Sequence, residues 1–126
     1  MTLTSELASE VGRLFDKGDQ VNREEARQVF ASLRKELDSG RVRAAEPDAQ
    51  SPTGWRVNAW VKKGILVGFR VGEIVDTSVN HDRLPFYDKD TLPLKRLDVA
   101  SGVRLVPGGS TIRAGAYVAS GVICMP

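Results

Sequence analysis

The sequence predicts an α+β protein in two parts: a helical N-terminal domain over residues 1–100, then the first coil of a hexapeptide-repeat β structure over residues 101–126, truncated when barely one turn is complete. Two patterns carry that prediction. Apolar residues recur at helical spacing twice before residue 40, and the last stretch, "VPGGSTIRAGAYVASGVICMP", recurs in sixes. Bulk composition agrees, since a chain of 126 residues with 41% hydrophobic and 27% charged residues has the make-up of one ordinary globular domain.

In the first element, Leu3, Leu7, Val11, Leu14 and Phe15 share a helical face, and Gly18 stands where a left-handed cap residue belongs. A second helix follows. Asn22 with Glu25 three residues on is the pattern in which each side chain satisfies an orphan backbone donor at a helix start. Ala26, Val29, Phe30, Leu33 and Leu37 form its apolar stripe, and Gly40 closes it.

Residues 41–46 read as a short strand, and "PDAQSPTG" as a surface turn. After it, Trp55 and Val57 alternate as in a strand. Trp60, Val61, Ile65, Leu66 and Phe69 then fill a helical face that ends near Arg70, with Asn58 placed to cap the change. Two strands remain the alternative, because short apolar runs do not separate the cases. Gly64 and Gly68 imply close approach by another element, and they do not make a phosphate loop without a Gly-Lys-Ser/Thr ending. From 77 to 96 the chain reads as irregular, interrupted by Pro85 and Pro93 and pinned by Phe86, Tyr87 and Leu92. Residues 98–102 form the joint with the repeat.

Within the repeat, Val106, Ile112, Val118 and Cys124 share one column, Gly109, Gly115 and Gly121 a second, and Ser110, Ala116 and Val122 a third. A six-residue unit supplies one short strand and one corner of a triangular coil, and about three units, or about eighteen residues, close one turn. The aliphatic column points inward, the glycines take the corner dihedrals, and the small column fits where the corner is tight. A plain β-hairpin with fortuitous glycines is the competing reading.

The formal charge of +2, with both signs interspersed, gives no support to a nucleic-acid or anionic-membrane surface. No window approaches the length of a membrane span, and Met1 leads into a polar helix pattern and not a signal peptide. The single cysteine, Cys124, forms no internal disulfide, so a cytoplasmic setting is expected; without a His/Cys cluster, no metal is expected.

The stretch "VRLVPGGSTIRAGAYVASGVICMP" closely resembles the segment where the helical domain of the tetrahydrodipicolinate N-succinyltransferases passes into a left-handed parallel β-helix. "WRVNAWVKKGILVGFR", with Trp60, Lys62, Lys63, Phe69 and Arg70, and "FYDKDTLPLKR" agree with the same family, so the resemblance runs over about 22–126. It implies a cytoplasmic homotrimeric acyltransferase of lysine and diaminopimelate synthesis, within the hexapeptide-repeat superfamily. Such an enzyme moves a succinyl group from succinyl-CoA, a co-substrate and not a bound cofactor, to the amine of a small dicarboxylate acceptor. The arginine of its Val-Arg-x-Val-Pro motif, here Arg104, is implied to bind that acceptor. A guanidinium suits the task, because it holds a carboxylate through two parallel hydrogen bonds.

The resemblance also places the catalytic acid and the CoA groove beyond the position matching Pro126, so this chain alone is expected to be inactive. A non-catalytic module pairing with full-length subunits, or transfer from another acyl-CoA, are the alternatives. This sequence departs from the family in carrying Gly108 where a second proline is common and Cys124 where leucine is commoner. His81 is expected to be a loop residue, Cys124 inert packing, and Lys62, Lys63 and Arg70 a solvated face and not a CoA-phosphate site.

Overall fold

The computed structural model describes residues 2–126. Helix α1 spans Leu3–Asp16, α2 Arg23–Asp38 and α3 Ala59–Val71. Thr2 caps α1 by accepting from Ser5 N at 3.2 Å, and Gly18, with φ 55°, turns the chain out of it. Asn22 caps α2 by accepting from Glu25 N at 2.9 Å. The reciprocal half expected of Glu25 is absent, because its carboxylate pairs with Arg13 of α1. That exchange gives up a local bond and ties two helices together.

Residues 41–46 are not a strand throughout. Val42 turns inward and is buried, so pairing starts later, at β1 (Ala45–Pro47), which lies antiparallel to β2 (Trp55–Val57) with Glu46 opposite Arg56. Asn58 does not cap α3; its amide donates to Arg43 O at 2.7 Å and to Glu46 Oε2 at 3.0 Å, and so holds β1 to the helix start.

The three helices pack around two apolar clusters. One gathers Leu7, Val11, Phe30, Leu33, Leu37, Val42, Val61 and Leu92, the other Leu14, Val21, Ala26, Val67 and Val71. Side chains fully withdrawn from water, such as Leu14 and Leu33, each contribute about 1.5–3 kcal/mol. The glycines of α3 allow this packing. A Cβ on Gly68 would lie 2.5 Å from the Phe30 ring, and one on Gly64 would collide with Leu33.

The stretch expected to be irregular holds a strand, β4 (Tyr87–Lys89), which pairs antiparallel with β3 (Ile74–Asp76) just before it to form a hairpin. Its backbone donors find partners there despite the prolines, since Pro85 lies in the connection and not in a strand. Leu92 is buried and Phe86 half-buried, as a pinning role requires, whereas Tyr87 is 63% exposed. Buried Thr91 donates to Gly68 O at 2.8 Å and fixes the hairpin's exit on α3.

The last part begins with a 3₁₀ turn, Val99–Ser101, boxed by Asp98 and closed by Gly102 at φ 68°. Strand β5 (Arg104–Leu105) then pairs in parallel with β6 (Ile123–Cys124). Gly109, Gly115 and Gly121 all have positive φ, at 109°, 104° and 88°. Val106, Ile112, Val118 and Cys124 are partly buried while their immediate neighbours along the chain are mostly exposed. One detail differs from the six-residue reading: Leu105, not Val106, stands opposite Cys124, so partners are nineteen residues apart (105 to 124). Two successive glycines, Gly108 and Gly109, have positive φ in the turn after β5, where the next two turns have one such glycine each, and the extra residue falls in that first turn.

Candidate functional site

Arg104 sits in β5, immediately after the joint. Its backbone N–H donates to Val122 O at 3.0 Å, while Gly121 N donates to Gly102 O at 2.8 Å. Gly102 has no room for a side chain, because a Cβ there would run into Ser120. The strand carrying Arg104 is thus held by its backbone along the edge that faces residues 121–124. Its guanidinium is exposed and has no hydrogen-bond or ion-pair partner among the described residues.

Most other arginines are engaged. Arg27 holds Asp90 with bonds of 3.2 and 2.6 Å, Arg113 holds Asp88 at 2.8 and 2.9 Å, and Arg41 holds Glu36 at 2.7 and 3.0 Å. Arg104 shares its lack of a hydrogen-bond or ion-pair partner with Arg43, Arg83 and Arg96, but it alone of the four projects from a paired strand of the repeat. Such a group is ready to take a carboxylate bidentately without first surrendering a protein partner.

The repeat is fixed to the helices by contacts that sequence reading did not single out. Asp38, the last residue of α2, accepts from Lys95 Nζ at 2.7 Å and from Gly115 N at 3.0 Å. Burial pushes the Asp38 carboxyl up, but the Lys95 ammonium and the Gly115 N–H outweigh it and hold it below the ordinary carboxylate range. Lys95 N also donates to Ile112 O at 2.8 Å and Ala114 N to Pro93 O at 2.7 Å, so residues 93–95 lie antiparallel against 112–114. Tyr117 covers Gly40, whose Cβ would fall 2.7 Å from the ring, and Arg43 stacks on the same ring at 4.3 Å.

The remaining candidates have structural roles. His81 Nε2 lies 2.6 Å from Asp76 Oδ2 and closes the loop of the β3–β4 hairpin. Hydrogen bonds from Ser78, then the His81 contact, hold the Asp76 carboxyl down at about 2. Arg70 donates to Phe15 O and Gly18 O, both at 3.3 Å, and so satisfies carbonyls at the end of α1. It is therefore not part of an open basic face. Lys63 lies over the Phe15 ring at 5.4 Å, and Lys62 is exposed. Cys124 is half-buried opposite Leu105. Among the described residues there is no group of three or more His, Cys, Asp or Glu placed to hold a metal, and no helix is long and apolar enough to cross a membrane.

A family model described as "Tetrahydrodipicolinate N-succinyltransferase N-terminal" matches residues 6–71. The chain is also similar to curated proteins named 2,3,4,5-tetrahydropyridine-2,6-dicarboxylate N-succinyltransferase. The one from Granulibacter bethesdensis is 39% identical over 105 residues, covering 80% of this chain and 36% of the relative. The one from Leptothrix cholodnii is 38% identical over 104 residues, covering 79% and 36%. The one from Agrobacterium fabrum is 33% identical over 135 residues, covering 100% and 46%. The chain thus spans between a third and a half of the length of these relatives.

Proposed function

This chain belongs to the tetrahydrodipicolinate N-succinyltransferase N-terminal family, and on that premise we propose that it is the acceptor-side part of a CoA-dependent N-succinyltransferase, with Arg104 holding a carboxylate of the acceptor. The acceptor is tetrahydrodipicolinate in its opened, amine-bearing form, and the donor is succinyl-CoA. The amine attacks the thioester directly, forming the amide and releasing CoA as thiol, without an acyl-enzyme. We assign no residue of this chain to proton transfer.

Residues 101–126 are, in this reading, the first coil of a left-handed parallel β-helix that assembles as a homotrimer in the cytoplasm, with residues 1–100 lying over the acceptor end. The parallel β5–β6 pair, the positive φ of the three corner glycines and the half-buried aliphatic column support the coil. The observation that carries the functional assignment is Arg104 itself: an exposed guanidinium without a protein partner, on a strand fixed by its backbone.

The test is steady-state kinetics of a full-length enzyme carrying this domain. Arg104→Ala should raise KM for the acceptor by about tenfold or more, the usual effect of losing a charge-assisted pair, and leave KM for succinyl-CoA unchanged. Unchanged acceptor kinetics would remove Arg104 from the site. The 126-residue chain alone should release no CoA from succinyl-CoA, and acceptor-dependent release would overturn that expectation.

A further inference from the structure

A cavity of about 240 Å³ lies between the α2–α3 face and residues 113–116. Phe30 and Leu37 of α2, Ile65 and Phe69 of α3, and Leu92 form its walls, and Ala114, Gly115 and Ala116 form its roof. The roof has side chains too small to fill the space beneath. Nor is it placed to drop: Ala114 N is held by Pro93 O, Gly115 N by Asp38, and Arg113 by Asp88. The cavity is open to solvent along part of its rim, so it is a recess that a ligand can enter and not a sealed void in the interior. Its walls are mostly hydrocarbon and offer water few partners.

The polar feature at its edge is Arg34. This part-buried side chain donates to Thr91 O, and it has no carboxylate partner among the described residues. Arg113, which also borders the cavity, is already held by both oxygens of Asp88. A guanidinium carries five N–H donors in a planar fork, so Arg34 retains donors for an anion. Asp38, one turn on in α2, attracts Arg34 from a distance, but its carboxylate is bonded to Lys95 and to Gly115 N and not to the guanidinium. An apolar body bounded by a cation with free donors defines the ligand by complementarity.

We propose that this cavity is a binding site for a small amphiphilic carboxylate, its hydrocarbon body against Phe30, Ile65, Phe69 and Leu92 and its head on Arg34. The site lies on the interface between the helices and the repeat, and it is independent of the acyl-transfer reading, which places the acceptor on Arg104.

The probe is hexanoate, titrated into the isotope-labelled 126-residue chain and followed by NMR, with 1-hexanol as the uncharged control. Saturable shifts of the Leu92, Ala114 and Ala116 resonances are expected at millimolar hexanoate. Arg34→Gln should weaken hexanoate binding by about tenfold and leave hexanol binding unchanged. Ala114→Leu, which fills the space, should abolish both. Absence of saturable shifts in the wild type, or hexanoate binding that Arg34→Gln does not alter, would overturn the proposal. Arg34→Gln gives the answer even where Ala114→Leu does not fold.

Discussion

In the helical body, Leu14, Leu33, Val61 and Val71 are completely withdrawn from water; in residues 102–126 no residue is buried to that degree. The two regions therefore hold their shape by different means. The body rests on apolar burial and on glycines that let α3 approach α1 and α2. The repeat rests on backbone pairing to its own strand and on a few polar attachments to the body, through Asp38, Asp88 and Tyr117. Burial is cooperative and strong, whereas each exposed polar attachment contributes about 1 kcal/mol or less. The repeat is accordingly the part that opens first.

The strongest way to break this contrast is to strike the body. Leu33 is fully buried at the crossing with Gly64, so Leu33→Ala should cost about 3–4 kcal/mol and lower the urea midpoint of the whole chain. Gly68→Ala comes next. Its Cβ would meet the Phe30 ring at 2.5–2.6 Å, an overpacking cost of about 3 kcal/mol, from which the better helix propensity of alanine recovers about 1. A net loss of about 2 kcal/mol, again global, is expected by the same measurement. A neutral Gly68→Ala would mean that α2 and α3 are less closely packed than described.

The body was largely legible in the sequence because its signals are local. The 3.6-residue stripes, Asn22 before α2, and Gly18 and Gly40 after the helices are all read within a few positions of the element they define. Gly64 and Gly68 announced a close approach without saying to what; Leu33 and Phe30 are supplied by folding. The attachments of the repeat were illegible for the opposite reason. Asp38 meets Gly115 seventy-seven residues away and Arg113 meets Asp88 across twenty-five, separations that no periodicity encodes. One clue was present at Asp38: an acid in the last turn of a helix opposes the helix dipole, and an unfavourable placement of this kind asks for a compensating partner. The β3–β4 hairpin was missed because three-residue strands with charged partners, such as Asp76 and Lys89, carry too little alternation to stand out. The candidate site was legible only as a motif around Arg104. That the side chain lacks a protein partner is a fact of the fold.

Asp38→Ala should sharpen the contrast by loosening the repeat alone. It removes the acceptor of the Gly115 N–H and the counter-ion of Lys95, whose side chain is only 10% exposed, at a cost of about 1 kcal/mol. Hydrogen exchange at Gly115 should accelerate while amides in the middle of α2 keep their protection. Acid should act in the same direction. The Arg113 guanidinium and the Lys89 backbone N–H hold the Asp88 carboxyl below its ordinary range, as Lys95 and Gly115 do for Asp38. A carboxyl lowered in the folded state contributes stability above its unfolded pKa, near 4, and loses it as pH falls through the lowered value. Below about pH 4, NMR should show the Gly115 amide and the Tyr117 ring leaving their native positions before Trp60 does. Simultaneous loss of all three would mean that body and repeat unfold as one unit.

The smallest effect belongs to the inward column of the repeat. Ile112 is only partly buried, and residues 93–95 already hold its strand through the backbone, with Lys95 N on Ile112 O at 2.8 Å. Ile112→Val removes one methyl group from a position that water still reaches. A fully buried Ile→Val change costs about 0.5–1.5 kcal/mol, so this one should fall below about 0.5 and leave the urea midpoint nearly unmoved. The same substitution in a full-length enzyme should cost more, because a second coil stacked on the first would complete the burial of Ile112. Equal costs in the short chain and the full-length enzyme would show that no further coil covers this column, and the β-helix reading of residues 101–126 would fall with it.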